Sequence, residues 1–133
     1  MCLFCKIINQ EIPASILYED ETTLAILDIA QATKGHTLIL PKAHYPSLLE
    51  IPEDLANQML TTAVKVSKLL MVALQAEGCN ILTNINEVAG QTVFHAHIHI
   101  LPRYKNDDLA IKFTAHEYDL PQLLNEILTA SSS

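Results

Sequence analysis

His95-Ala96-His97-Ile98-His99-Ile100-Leu101 sets three imidazoles at strict two-residue spacing and interleaves them with small or apolar side chains. In a β-strand successive side chains point to opposite faces. That alternation sends Ala96, Ile98 and Ile100 into a core and projects His95, His97 and His99 the other way, successive rings roughly 6.5 Å apart. Half of the six histidines fall within five positions, so a chance run on a solvated face is a poor account of them. The reading adopted is a strand over Thr92 to Leu101 with a reactive row on one face.

Working outward, Ser15 to Glu19 and Thr22 to Asp28 alternate as two short strands around an acidic turn at Asp20-Glu21, with Leu24, Ile26 and Asp28 on one face. His36 to Leu40 is a third strand, ended by Pro41. Leu55, Met59, Ala63, Val66, Leu70 and Leu74 recur near helical spacing, which predicts a helix opened by Pro52 and running to about Glu77, with Gly78 as its stop. An apolar Ile51 stands where a capping side chain is expected. Cys79 to Thr83 is a fourth strand, and Asn84 to Gly90 a polar turn before the histidines. Leu120, Leu123, Leu124, Ile127 and Leu128 mark an amphipathic helix over about 119–130, with Asp119 as N-cap. Short turns between consecutive strands imply an α+β fold: a mainly antiparallel five-stranded sheet, one face covered by the long helix, and a C-terminal helix.

The 133 residues are half apolar, with three glycines and no low-complexity tract, which suits a single domain over 1–133 with an adequate core. A formal charge of -7 argues against an extended track for nucleic acid or an anionic membrane surface. The longest strongly apolar stretch, Leu69 to Ala76, is far shorter than a bilayer span of roughly 20 residues. The chain start carries no basic region followed by a long apolar one, and three cysteines suit a reducing compartment. A cytoplasmic protein is expected.

The histidine run is preceded by Ala89-Gly90-Gln91-Thr92-Val93 and followed by Pro102-Arg103-Tyr104; Phe4-Cys5-Lys6-Ile7-Ile8, Ile12-Pro13-Ala14, Leu27-Asp28-Ile29 and Gly35 to His44 come before it in order. Together these resemble the histidine triad (HIT) family of nucleotide hydrolases and transferases, over nearly all of residues 1–104. The Cys2-x-x-Cys5 start and the Pro102 to Asp108 segment resemble its bacterial branch. The resemblance implies that His97 attacks the α-phosphorus of a nucleoside phosphoramidate or dinucleoside polyphosphate, forming a nucleotidyl-histidine that water opens to a nucleoside monophosphate. A neutral imidazole is competent for such covalent catalysis. His99 would bind non-bridging phosphate oxygens, and His36 would pack beside the row and orient it.

By the same resemblance, Asn84, Gly90, Gln91 and Thr92 line the phosphate side, and Asp28 holds a ribose diol. Phe4, Ile7, Ile26 and Ile29 then form the slot for a purine base. Asn86 stands where the family has Gly, a position open to an altered loop. Lys42, Arg103 and Lys105 are read as surface charge, with contact to the distal phosphates of a longer polyphosphate as the alternative; Cys79 is read as core and His116 as solvated. Relatives are homodimers whose sheets join edge to edge, and the same is expected here.

Cys2, Cys5, His44 and His95 form a second constellation. Zinc favours four tetrahedral N/S ligands, and relatives carry this set as a structural zinc site; free thiols or a redox pair are the competing readings. No organic cofactor is implied. Two other functions stay open at this point: a non-catalytic, zinc-stabilised nucleotide-binding or interaction module, and a catalytic metal bound directly by the histidine row.

Overall fold

The computed structural model describes residues 2–131. Five strands form one antiparallel sheet: β1 (Ile16–Glu19), β2 (Thr23–Leu27), β3 (Thr37–Pro41), β4 (Gly78–Leu82) and β5 (Ile98–Arg103), in the spatial order β1-β2-β3-β5-β4. Three α-helices accompany it, α1 (Leu3–Ile8), α2 (Glu53–Ala73) and α3 (Leu120–Ser131). The α+β expectation therefore holds, with α1 as an element the sequence reading left out. Six residues are too few for a periodicity signal.

Alternation along the strands splits the core in two. Ala25, Ile39, Ile98 and Ile100 face α2, which buries Met59, Ala63, Val66 and Leu70 against them. Leu24, Ile26, Leu38 and Leu40 face the other way and meet Phe4 of α1. The two faces thus do different work. The α2 side is mostly hydrocarbon packing, with one buried hydroxyl pair, Thr23 and Thr62, at 2.9 Å, whereas the α1 side is short of cover and leaves room for a cavity.

Besides shifts of one or two residues at other element ends, three boundaries differ from expectation. The long helix stops at Ala73, not Glu77: Gln75 takes a left-handed φ of 55° and the Ala76 amide returns to the Met71 carbonyl, a Schellman closure built without glycine. Gly78 instead opens β4. The helix starts at Glu53, with Pro52 and not Ile51 in the capping position, and no side-chain hydrogen bond caps it.

The third boundary matters most. Strand β5 begins at Ile98 and not at Thr92, so His95 and His97 precede it and only His99 lies within it. The ladder with β3 runs from Thr37↔Ile100 to Ile39↔Ile98 and goes no further. Beyond it, the Pro41 carbonyl is taken by the ring of His95, at 2.8 Å, where a neighbouring strand's amide would otherwise sit. A side chain has replaced the backbone in the ladder.

Candidate active site and metal site

Residues 91–97 are fixed by bonds outside the sheet. Ala96 donates its amide to the Tyr45 carbonyl at 2.7 Å, Thr83 donates its hydroxyl to the His97 carbonyl at 2.7 Å, and the Gln91 amide group donates to Pro46 and Val93. The Asn86 amide donates to Gln91 Oε1. Gln91 is buried, and its carboxamide is spent on holding this segment.

Backbone groups set the tautomers of His97, His95 and His36, and His36 passes its own on to His99. A carbonyl can only accept, so His97 Nδ1, 2.7 Å from the His95 carbonyl, carries the proton and Nε2 keeps its lone pair. His95 donates through Nε2 to Pro41, which frees Nδ1. An amide can only donate, so His36 Nδ1, 3.2 Å from the Ala32 nitrogen, is the acceptor and Nε2 is protonated. That Nε2–H points at His99 Nδ1, 2.9 Å away, leaving the His99 proton on Nε2. One backbone amide thereby orders two imidazoles.

All three rings of the row are held neutral. Burial depresses the His95, His97 and His99 pKa values, by withdrawing water from the imidazolium form. For His99, the neighbouring His97 and His36 add repulsion, Asp28 opposes, and the value falls to about 4.

The three imidazoles do not converge on one point, because their nitrogens are committed to Pro41, to the His95 backbone and to His36. A catalytic metal on the row itself has no common focus. Asp28, His36 and His99 do approach one another, but a metal on His36 Nε2 would force its proton onto Nδ1, against the Ala32 amide. That triangle is built for a proton.

Next to the rings lies a cavity of about 830 Å³. Phe4, Ile7, Ile26, Asp28, Ile29 and Thr92 line it together with His97 and His99. Phe4 sets its ring edge-on to His97 at 5.1 Å, and Ile29 stands fully exposed at the mouth. Asn84, Gly90 and Gln91 are not on its wall. Gly90 adopts φ 105° with the Asn84 amide closely packed beside it, so these residues build the turn behind Thr92. Sequence reading missed Ser15, Leu38 and Val93 on the wall, and above all Gln31. Nothing in their local pattern separates them from ordinary core or loop positions.

The outlying charges are otherwise engaged. Lys42 pairs with Glu19 at 2.7 Å, Lys105 approaches Glu77, and Arg103 is clamped by Asp107, Asn80 and the Leu109 carbonyl. Cys79 lies against the α2 face of the core, and His116 is exposed.

Cys2, Cys5, His44 and His95 meet at the start of α1. The Cys2 and Cys5 sulfurs lie 3.3–3.5 Å from His44 Nδ1 and His95 Nδ1, and the two nitrogens are 3.1 Å apart. A tetrahedral zinc has ligand-to-ligand edges of roughly 3.3–3.7 Å, so the donor set fits that ion. No disulfide joins the three cysteines. His95 offers the correct nitrogen, its other one being anchored on Pro41. Burial and the neighbouring Cys2 push the Cys5 thiol up in the absence of a cation.

The family model described as the HIT domain matches residues 9–106. An uncharacterised HIT-like protein of Methanocaldococcus jannaschii is 48% identical, covering 96% of this chain and 98% of its own. An adenylylsulfatase of Arabidopsis thaliana is 44% identical over 81% of this chain and 55% of its own, and an adenosine 5'-monophosphoramidase of Saccharomyces cerevisiae 38% over 92% and 75%. A crystal structure from Streptococcus mutans superposes with a TM-score of 0.92 at 46% identity, covering 99% of this chain and 85% of that one. A zinc-bound histidine triad family protein from Mycobacterium smegmatis gives 0.79 at 36%, covering 98% and 95%. The chain belongs to the HIT family.

Proposed function

We infer that this protein cleaves nucleoside phosphoramidates or dinucleoside polyphosphates at the α-phosphate, as a hydrolase or nucleotidyl transferase. The observation that carries the reading is the His97 tautomer: Nδ1–H is held by its own backbone neighbour and Nε2 keeps a free lone pair beside the cavity. In the first step, Nε2 bonds to phosphorus while the bond to the leaving group breaks. Water then attacks phosphorus, the phosphorus–nitrogen bond breaks, and the nucleoside monophosphate leaves. His99 donates Nε2–H to a non-bridging oxygen as charge builds there, and His36 orients it. His95, if it ligates zinc, is not free to carry a proton to the leaving group.

Asp28 accepts the ribose diol; Phe4, Ile7, Ile26 and Ile29 hold a purine. Thr92 meets the phosphate, with Asn84, Gly90 and Gln91 shaping the turn that presents it. The named activities of the plant and yeast relatives support this substrate class. Cys2, Cys5, His44 and His95 hold a structural zinc, supported by their fit and by the zinc-bound mycobacterial relative. The metal's contribution there is to tie α1 to the segment carrying His97.

A homodimer in the cytoplasm is the proposed working form. β4 is an edge strand with Ile81 exposed, and Leu60 and Val64 are exposed on α2, which packs against β4. These suit pairing with a second β4. Trapping a labelled nucleotide on the wild-type protein, with loss of the adduct in a folded His97→Ala variant, tests the chemistry. Nucleotide binding without turnover or adduct would establish the alternative, a non-catalytic zinc-stabilised module.

A further inference from the structure

The loop from Asp28 to His36 joins β2 to β3 and carries the amide that orders both His36 and His99. Its ends are paired, with the Asp28 amide donating to the His36 carbonyl at 3.0 Å, and the His36 amide donates to the Thr33 carbonyl. The span between has little cover. Gln31, Ala32 and Lys34 are exposed, and the buried Thr33 hydroxyl has no hydrogen-bond partner.

One exposed side chain ties the loop together. Gln31 Nε2 donates to the Asp28 carbonyl at 2.5 Å and to the His36 carbonyl at 2.8 Å, while Gln31 Oε1 accepts from the Gly35 amide at 2.8 Å. Both amide functions are thus used on the two ends of the loop. Ala32 is the next residue along, so anchoring Gln31 aims the Ala32 N–H at His36 Nδ1. Without that donor the Nδ1–H tautomer of His36 becomes accessible, opposed by Asp28 Oδ2, which lies 3.5 Å from Nε2. If its proton moves to Nδ1, Nε2 becomes an acceptor, and His99 is drawn to the Nδ1–H tautomer that donates to it across 2.9 Å, giving up the proton on its own Nε2.

We propose that Gln31 is a positioning residue for the reaction: its carboxamide staples the Asp28–His36 loop, so that the Ala32 amide fixes the His36 tautomer and, through it, the proton on the His99 nitrogen that faces phosphate. The catalytic part of this proposal rests on the function inferred above; the tautomer part does not. Gln31 acts through His36 and His99, and no bond is made or broken at its own atoms.

The test is a Gln31→Met variant of the full chain, with ring-labelled histidines observed by two-bond ¹H–¹⁵N correlation and with turnover of an adenosine phosphoramidate. Wild type should show single tautomers, with unprotonated Nδ1 at both His36 and His99. The variant should show averaged His36 nitrogens and a kcat lower by roughly tenfold, with KM within about twofold. Lys34→Ala, in the same loop but with no side-chain bond, should change neither readout. Should the methionine variant not fold, Gln31→Glu replaces it; a carboxylate keeps the acceptor for Gly35 but repels both carbonyls, and the same tautomer averaging is expected. Unchanged His36 signals overturn the proposal, as does a released tautomer with unaltered kcat. Wild-type protein with the stated tautomers but no turnover sinks the enzymatic reading and leaves the ordering of the rings standing.

Discussion

Asn86 holds φ 72° and ψ 161°, a backbone region that is essentially glycine's own. Its amide is needed there, because it donates to Gln91 Oε1 and so closes the turn before His95. Asn86→Gly should therefore stabilise the fold by about 1 kcal/mol in urea denaturation. Gly35 presents the opposite case. At φ 94°, a Cβ would sit 2.5 Å from a Leu74 methyl and 3.2 Å from the Pro102 ring. Gly35→Ala should cost about 2 kcal/mol or more by the same measurement.

His99 gives the residue scale its pH dependence. Its folded pKa is about 4, against 6.5 ordinarily, and the groups facing it are His97, His36 and Asp28. The unfolded chain binds the proton first, so the stabilisation from neutral His99 is complete above about pH 6.5 and drains away as pH falls toward 4. Urea midpoints should be flat above pH 7 and fall below 6.5. His99→Gln should flatten part of that descent, and an equal slope in the variant would refute the assignment.

At the scale of elements, α1 and the segment before β5 depend on each other. α1 is a single short helix whose Cys2 caps its own N-terminus, accepting the Cys5 amide, and whose Phe4 rests against His97. A helix this short has little stability of its own. Binding of zinc between its two cysteines and His44 and His95 would supply the missing tie. Cys5→Ser should lower bound zinc from about one per chain to near zero and reduce Tm by several degrees, measured by elemental analysis and calorimetry. Stoichiometric zinc in that variant would point to a different site.

Much of the element layer was legible. Strands β1 to β4 and the helix α2 announce themselves by period-2 and near-3.6 patterns that tertiary packing then satisfies, and Asp119 caps α3 as its position suggests. The histidine strand was misread at its start, because alternation reports which side chains share a face and not which backbone groups are paired. His95 kept its side of the chain while leaving the ladder, a choice made by the Pro41 carbonyl 54 residues away. Gln91 is similar. Its place beside the site was legible, but not that its carboxamide would be consumed by Pro46 and Val93.

For the whole molecule, the largest gap between pattern and structure is at the C-terminus. Leu120, Leu124, Ile127 and Leu128 make the amphipathic face foreseen for α3, yet all are more than half exposed, and Phe113 in the preceding extended segment is almost wholly so. A hydrophobic stripe says that a face favours cover; it does not say what covers it. The β4 edge makes the firmer prediction. Ile81→Lys or Val64→Asp should convert the proposed dimer to monomer, raising the dissociation constant at least tenfold by light scattering or sedimentation. A dimer unaffected by both would place the interface elsewhere. No helix among the described residues is long and apolar enough to cross a membrane.

The sequence by itself determined the sheet, the long helix over one face, and the identity of the chemical groups: a histidine row, a Cys/His quartet and a carboxylate at a strand end. These are local facts, written in spacing and residue type. Tertiary structure alone decided which nitrogen of each ring carries its proton and which polar groups face the cavity. Those outcomes depend on single hydrogen bonds from backbone atoms distant in the chain, such as Pro41 to His95, or folded back by one loop, such as Ala32 to His36. A pattern along a strand cannot encode the direction of a carbonyl on its neighbour.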